Sequence, residues 1–193
     1  MTRNVHVVAI SGSLADDSGT RAALGEALSA AERAGARTTL VDLREYDLPT
    51  FDADDPDAGD APELRRRFRE ADAILLGTPM YHGSFSSPLK TALDYAGFDE
   101  FEGTTVGLLA VSGGGFPTPA LSGLRTVVRA LDAWTLPLQV GIPDSAERFD
   151  DGELVDDPLE ERVRRLGTEL VRYAGVERYP ELNDRTAEPI SAD

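Results

Sequence analysis

The chain has 193 residues, 41% of them hydrophobic and 28% charged, which fits one globular domain with a buried core. Its net charge of −16 argues against nucleic-acid and anionic-membrane partners, because both bind basic surfaces. With no cysteine and two histidines, the chain is expected to lack disulfides, a thiolate nucleophile and any Cys- or His-rich metal site. We expect a cytoplasmic protein, since no apolar run is long enough for a signal or a membrane span.

The charge also has an unusual composition. Lys90 is the single lysine, and the other basic residues are arginines. Such an acidic surplus keeps a protein soluble but strains the compact state by self-repulsion, as in salt-adapted proteins. The composition therefore predicts an acidic surface of the halophilic type, which gains stability in salt.

Apolar runs alternate with stretches of helical periodicity, without an internal repeat or a low-complexity linker. Val5–Ile10 is predicted as the first strand. A helix over Thr20–Ala34 follows, with Gly35 as its stop. The later predicted elements are, in chain order, a strand at Thr38–Leu43, a helix at Pro62–Ala71, a strand at Ala73–Gly77, a helix at Ser87–Tyr95, a strand at Thr104–Val111, a helix from about Pro119 to Asp132, a strand at Leu136–Val140 and a helix at Asp157–Ala174. One domain is predicted over residues 1–175, with a polar tail at 176–193.

Strands alternate with helices, and the strands are almost continuously apolar. This pattern indicates a parallel sheet covered by helices on both faces, a doubly wound α/β fold. Such folds bind ligands beyond the carboxyl ends of the strands, where the strand order reverses. The loops after the first, third and fourth strands are also the richest in glycine and serine, so we expect the functional site there.

The first loop, Ser11–Arg21, leads from strand one into a helix. It contains four hydroxyl side chains, those of Ser11, Ser13, Ser18 and Thr20, together with Gly12 and Gly19. Exposed N–H groups and the positive end of a helix dipole favour a phosphate site here. The simpler alternative is that Ser18 or Thr20 only caps the helix. Neither a P-loop nor the G-x-G-x-x-G dinucleotide fingerprint is present.

The second loop, Thr78–Ser84, follows the third strand. Pro79 is expected to end that strand because it removes a backbone donor. Gly83 is expected to let the backbone approach a flat ligand closely, and Tyr81 offers an aromatic ring for stacking. The alternative is an ordinary turn in which Tyr81 and His82 are exposed surface residues.

The third loop, Val111–Pro119, contains three consecutive glycines. Glycine costs chain entropy on folding, so three in a row favour a backbone that must come close to something. A flat ring lying against this backbone would explain them. A mobile loop is the alternative, and the loop by itself does not separate the two.

Together these motifs carry a family resemblance. "SGSLADDSGT", "TPMYHGSFSSPLKTALDYAG" and "VSGGG", in this order and at these strand ends, resemble the NAD(P)H-dependent FMN reductases of the flavodoxin-like fold. That family includes quinone, azo and chromate reductases. The resemblance extends over roughly Val5 to Leu138. Its most specific part is Pro-x-Tyr-x-Gly-Ser followed by Pro-Leu-Lys and then Leu-Asp.

The resemblance implies a five-stranded parallel sheet in the order 2-1-3-4-5, bound FMN, and NADPH or NADH as electron donor. The FMN-binding residues that it implies are Ser11, Ser13, Ser18, Gly19 and Thr20 around the phosphate, and Pro79, Met80, Tyr81, His82, Gly83, Ser112, Gly113, Gly114 and Gly115 along the ring. Lys90 and Asp94 match a Lys and an Asp of the family, and we expect them to pair without a catalytic role. The family's usual assembly implies a homodimer or homotetramer.

Two positions depart from the family pattern. Ala15 stands where the family usually has an arginine that contacts the phosphate, which leaves Arg21 as the candidate for that contact. Ser86 and Ser87 stand where the family usually has Pro-Gly. The first departure puts the strength of FMN binding in question, whereas the second leaves the following Pro-Leu-Lys intact.

The activity implied by the resemblance is reduction of a small acceptor, such as a quinone or a flavin, by NAD(P)H through FMN. The chemistry is centred on the flavin, so no catalytic side chain is expected. Backbone N–H groups of Tyr81 and His82 would stabilise charge on the reduced ring. One alternative is an electron carrier that holds the flavin between Tyr81 and Phe116. Another is a flavin-free interaction protein, which Ala15 keeps open, because fold alone does not decide function.

Overall fold

A computed structural model describes residues 5–175 of the chain. The strands are β1 (His6–Ser11), β2 (Arg37–Asp42), β3 (Ala73–Tyr81), β4 (Ser84–Phe85), β5 (Thr105–Val111), β6 (Trp134–Ile142), β7 (Phe149–Asp150) and β8 (Glu153–Leu154). The helices are α1 (Gly19–Arg33), α2 (Ala61–Arg69), α3 (Ser87–Asp94), α4 (Phe98–Phe101), α5 (Thr118–Ala130), α6 (Ser145–Arg148) and α7 (Asp157–Tyr173). The predicted tail at 176–193 lies outside the described residues.

The five long strands form one parallel sheet in the order β2-β1-β3-β5-β6. Counting only these strands, the order is 2-1-3-4-5, so the predicted doubly wound α/β fold is confirmed. The two-residue strand β4 was not predicted, and it pairs antiparallel with the end of β3. A separate small hairpin, β7–β8, also escaped prediction.

Apolar side chains alternate between the two faces of the sheet, which explains why the strands are almost continuously apolar. In β1, Val7 and Ala9 belong to the cluster that contains Leu24 of α1 and Leu166 of α7. Val8 and Ile10 face the opposite side, in the cluster that contains the apolar residues of α2, α3 and α5. All four β1 side chains are fully buried. Helices therefore cover both faces, as the sequence predicts.

The third strand is longer than predicted, and the expectation that Pro79 ends it is wrong. β3 continues through Pro79, which pairs with Val111 of β5, as far as Tyr81. β1 has already ended at Ser11, opposite Gly77, so Pro79 lies beyond the part of β3 that pairs with β1. Proline is tolerated in a sheet at such an unpaired edge.

Within residues 5–175, no helix is both long enough and apolar enough to cross a membrane.

Candidate functional site

The carboxyl ends of β1, β3 and β5 open into one cavity of about 670 Å³, where the strand order predicts a ligand site. Its lining comes from all three predicted loops and from a segment after β6. The lining residues are Ser13, Ala15, Asp17, Ser18, Gly19, Thr20, Pro79, Met80, Tyr81, Val111, Ser112, Gly113, Ser145, Ala146, Phe149, Asp151 and Gly152.

Most of the residues predicted to bind FMN share this cavity. Those that line it are Ser13, Ser18, Gly19, Thr20, Pro79, Met80, Tyr81, Ser112 and Gly113. Those outside the lining are Ser11, His82, Gly83, Gly114 and Gly115. The three predicted loops therefore meet, although each contributes only part of its predicted set.

The first loop delivers the N-terminus of α1 to the cavity. Ser18 is the N-cap, and its Oγ accepts a hydrogen bond of 3.1 Å from the Arg21 amide. The capping alternative for Ser18 is thus correct, yet Ser18, Gly19 and Thr20 also line the cavity. The first turn of α1 contains no acidic residue, so the positive end of the helix dipole is not offset within that turn. This end of the cavity suits an anion.

Ser11 occupies a different position from the other loop serines. It is the last residue of β1, fully buried, with Asp42 and Gly77 opposite it in the neighbouring strands. Its Oγ has no hydrogen-bond partner among the described residues. The prediction that Ser11 belongs to the phosphate loop is therefore not supported by the shape of the cavity, because the strand continues through it.

An ionic cluster stands behind the first loop. The Arg21 guanidinium donates to the carbonyl oxygens of Ala15, at 3.1 Å, and Asp16. It also lies 3.6 Å from the Asp42 carboxylate, which Arg44 binds at 2.6 Å. Burial acts to raise the pKa of the Asp42 carboxyl, but the hydrogen bonds and charge of Arg44, with the charge of Arg21, hold that pKa below its usual value.

This cluster corrects the expectation for Arg21. Its side chain is engaged with the backbone of the loop and with Asp42, and it does not line the cavity. Arg21 therefore holds the loop and does not replace the arginine that the family has at Ala15. The cavity lining contains two carboxylates, Asp17 and Asp151, and no arginine or lysine within residues 5–175.

The second loop is a hairpin tip, not a strand-to-helix turn. His82 and Gly83 adopt φ values of 49° and 76° between the paired residues Tyr81 and Ser84. This is the backbone of a two-residue turn with two left-handed residues, where glycine is favoured. The turn by itself accounts for a glycine at position 83, and the approach of its backbone to a flat ligand stays a prediction. Tyr81, 59% exposed, presents its side chain at the cavity.

Ser86 joins the first and second loops. Its backbone N–H donates to Thr78 Oγ1 at 2.9 Å, and its Oγ donates to the Gly12 carbonyl at 2.7 Å. Gly12 N–H in turn donates to the Gly77 carbonyl at 2.8 Å. Ser86 is buried, so these bonds form a dry link directly behind the cavity. The departure from the family's Pro-Gly thus carries a structural role at Ser86.

Ser112 folds the third loop. Its Oγ donates to the Gly115 carbonyl at 2.6 Å and lies 3.2 Å from the Gly114 carbonyl. These contacts keep Gly114 and Gly115 in the turn, while Gly113 faces the cavity. Among residues 5–175, apart from the two residues that flank each glycine, no atom lies within 4 Å of a Cβ placed on Gly113, Gly114 or Gly115. Packing within this chain therefore does not require them.

Phe116 does not form the proposed aromatic sandwich with Tyr81. Its ring packs against Gly141 so closely that a Cβ on Gly141 would lie 2.5 Å from it. Phe116 is absent from the lining of the cavity, whereas Tyr81 is present. The arrangement predicted for an electron carrier is therefore not found in the described part of the chain.

The segment after β6 is the part of the site that sequence reasoning missed. Ser145, Ala146, Phe149, Asp151 and Gly152 all line the cavity. The segment is tied to the third loop by bonds from the Asp144 amide to the Gly114 carbonyl and from the Ser145 amide to the Ser112 carbonyl. The Asp-Gly pair between "FD" and "EL" is a hairpin signal that would have revealed β7–β8.

The predicted pairing of Lys90 with Asp94 is confirmed. The Lys90 Nζ lies 2.5 Å from Asp94 Oδ1 on the surface of α3. Neither residue lines the cavity. The pair is a helix-surface ion pair that does not contact the site.

Two curated relatives match part of this chain. The FMN-dependent NADPH-azoreductase of Staphylococcus saprophyticus is 37% identical over 113 residues, 57% of this chain and 60% of that protein. The enzyme of the same name from Staphylococcus aureus strain USA300 is 37% identical over 123 residues, 62% of this chain and 65% of that protein. The chain thus spans less than two thirds of the length of either relative.

The fold is shared with a solved flavoenzyme. FerB, an NAD(P)H:(acceptor) oxidoreductase from Paracoccus denitrificans, matches with a TM-score of 0.74 at 20% identity, covering 88% of this chain and 97% of that one. At this identity the likeness shows the fold alone. The sequence profile of the NADPH-dependent FMN reductases matches residues 5–147. Because that match covers well over half of the chain, the protein belongs to the NADPH-dependent FMN reductase family.

Proposed function

We propose that this protein binds FMN in the cavity of about 670 Å³ and uses it to reduce a small acceptor with electrons from NADPH or NADH. One observation carries the proposal. Loops from three strand ends, predicted separately from the sequence, converge on one cavity at the position where doubly wound sheets bind their ligands.

The residues present fit a flavin mononucleotide. The N-terminus of α1, with Ser13, Ser18 and Thr20 beside it, offers hydroxyl and N–H donors to a phosphate. The opposite part of the lining includes Pro79, Met80 and Tyr81, which offer apolar and aromatic surface to a flat ring. Gly113 has open space beside its backbone, which supports the placement of a flat ring there.

The phosphate would be held without a cationic side chain. Hydroxyl groups, backbone N–H groups and the helix dipole take the place of the arginine that the family has at Ala15. Arg21 contributes indirectly, since it binds the Ala15 carbonyl at 3.1 Å and so fixes the loop that carries Ser13 and Ser18.

Bound FMN would supply the redox chemistry, accepting hydride from the nicotinamide and passing electrons to the acceptor. The chain's own residues would position the ring and exclude water. Neither histidine lines the cavity, so no imidazole is placed for acid–base catalysis. The acceptor would enter beside Tyr81, whose side chain is largely exposed.

The assembly and extent of the protein belong to the same proposal. Residues 1–175 would form a single FMN-binding domain, and the protein would act as a homodimer or homotetramer with a small-molecule acceptor. The family resemblance is the support for the oligomer.

An anaerobic reduction experiment tests the proposal. The protein is loaded with FMN in molar KCl, NADPH or NADH is added, and the visible absorbance of the oxidised flavin is followed. We expect rapid bleaching in a single two-electron step. Bound flavin that stays oxidised with both donors would identify an electron carrier, and flavin that never binds would refute the site.

A further inference from the structure

The β7–β8 hairpin lies at the end of the cavity that suits an anion. The Phe149 ring sits over Gly19, the first residue of α1, so that a Cβ on Gly19 would lie 2.8 Å from the ring. At the tip of the hairpin, Asp151 and Gly152 have φ values of 46° and 80° and line the cavity. The hairpin therefore forms a wall directly beside the α1 N-terminus.

This wall is held at its base. Arg148 Nη1 binds Asp156 Oδ2 at 2.7 Å, and the Val155 amide donates to the Arg148 carbonyl at 2.9 Å. Asp156 is also the N-cap of α7, where its Oδ1 accepts from the Leu159 amide at 3.0 Å. Both ends of the hairpin are thus anchored, and Phe149 packs against the core cluster that contains Ala23 and Leu24 of α1.

We propose that this hairpin closes the phosphate end of the cavity and makes the site select FMN over FAD. The inference rests on the proposed function, because it assumes that the flavin phosphate lies at the α1 N-terminus. FMN ends at that phosphate, whereas FAD continues through a second phosphate to an adenosine. Because Phe149 and the hairpin tip line the cavity beside the α1 N-terminus, this continuation would meet them.

The charge of the cavity lining, like its shape, is expected to disfavour FAD. Asp17 and Asp151 line this end of the cavity, and the lining formed by residues 5–175 contains no arginine or lysine. The α1 N-terminus can serve one phosphate with its free N–H groups. A second phosphate would lie near carboxylates without a cation to pair with, which is unfavourable.

Binding measurements on the apoprotein test the inference. The dissociation constants of FMN, FAD and riboflavin are measured by flavin-fluorescence titration in molar KCl. The proteins are the wild type, Phe149→Ala, and the control Phe98→Ala, which removes an exposed phenylalanine from α4, outside the cavity. We expect the wild type and the control to bind FMN at least about tenfold more tightly than FAD. Phe149→Ala should move the ratio of the two constants toward one.

The outcomes separate this inference from the proposed function. No binding of FMN or riboflavin by the wild type refutes the FMN site itself. Tight FMN binding with equally tight FAD binding leaves the site standing and overturns the role of the hairpin. An unchanged ratio in a folded Phe149→Ala protein overturns it as well. If Phe149→Ala does not fold, the ratio of the FMN and FAD dissociation constants in the wild type and in Asp151→Asn decides the question. Asp151→Asn should discriminate less against FAD in low salt.

Discussion

Gly12 and Gly113 lie in two loops at the same end of the sheet, but for different physical reasons. A Cβ on Gly12 would lie 2.7 Å from both Leu89 Cβ and Ser86 Oγ, atoms in the packed link behind the cavity. Gly113 has no such neighbour within 4 Å among the described residues, and it faces the cavity. Gly12 is therefore required by packing, whereas Gly113 has open space beside it in the cavity.

This contrast gives a matched pair of substitutions. Gly12→Ala should lower the free energy of unfolding by about 1–3 kcal/mol, because the added methyl group overpacks a rigid region. Gly113→Ala should leave that free energy nearly unchanged and weaken FMN binding, since its methyl group enters the cavity. Denaturant unfolding and FMN titration, both in molar KCl, measure the two effects. Equal loss of stability in the two variants would contradict the assignment.

Ser18 is the N-cap of α1 and a proposed contact of the flavin phosphate, and two substitutions separate these roles. Ser18→Ala removes the N-cap and should cost about 1 kcal/mol of stability. Ser18→Asp keeps a good N-cap, so stability should be retained, but its carboxylate would repel the flavin phosphate. We therefore expect Ser18→Asp to lose more FMN affinity than Ser18→Ala, while the two differ little in riboflavin affinity. If Ser18→Asp binds FMN as tightly as the wild type, the phosphate does not lie at Ser18.

At the scale of the elements, the end of β2 supports the loop that follows β1. Asp42 is the last residue of β2, and its carboxylate pairs with Arg44 and Arg21. Arg21 also donates a hydrogen bond to the Ala15 carbonyl of the first loop. Neighbouring parallel strands end at the same edge of the sheet, so a residue on one strand can support the loop of the next. The ionic cluster is thus part of the scaffold of the site.

The pH dependence of stability tests this cluster. The arginines lower the pKa of Asp42 in the folded state, so Asp42 stabilises the fold above its unfolded pKa, about 4, and this contribution is lost as the pH falls through the folded-state value. Asp42→Asn should cost about 1–3 kcal/mol near pH 7, and the difference from wild type should shrink in acid. Urea unfolding between pH 3 and 7 measures it. Glu161→Gln, on the exposed side of α7, is the control, and a pH-independent cost would contradict the ionic role.

At the scale of the whole molecule, charge dominates. The net charge of −16 places strong self-repulsion on a compact chain, and salt screens such repulsion. Many of the arginines are used in ion pairs with carboxylates, as in the pairs of Arg66 with Glu63 and Arg164 with Glu160. The remaining acidic surplus is therefore expected to make the fold depend on salt.

Unfolding in low and in molar KCl checks this expectation. The free energy of unfolding should rise with KCl. The double variant Asp54→Asn with Asp55→Asn removes two exposed charges from the loop before α2, so its gain in salt should be smaller. Stability that is independent of KCl would show that self-repulsion is not a major term.

The net negative charge of the protein is also expected to affect its affinity for FMN. FMN carries a phosphate into an acidic protein whose cavity lining, over residues 5–175, offers no cationic side chain. FMN affinity should therefore increase with KCl, in contrast to the affinity for riboflavin, which has no phosphate. Titrations of both flavins across a KCl series measure this difference. Parallel behaviour of the two flavins would argue against a phosphate held in this cavity.

By itself, the sequence determined the layer architecture and three of the loops that line the cavity. The apolar runs and helical periodicities predicted all five parallel strands and their covering helices, because local pattern specifies burial on one or two faces. The loops that carry Ser18, Tyr81 and Gly113 were identified for the same reason. Each follows a strand, and the carboxyl ends of parallel strands share an edge.

Only the tertiary structure decided which contacts form between residues from distant parts of the chain. It placed Ser11 inside the sheet, turned Arg21 toward the loop backbone, and brought Phe149 against Gly19. These outcomes depend on contacts between segments far apart in sequence, which no local pattern encodes. The β7–β8 hairpin is the clearest example, since its turn is local but its position beside the α1 N-terminus depends on how the flanking elements β6 and α7 pack in one core cluster with α1.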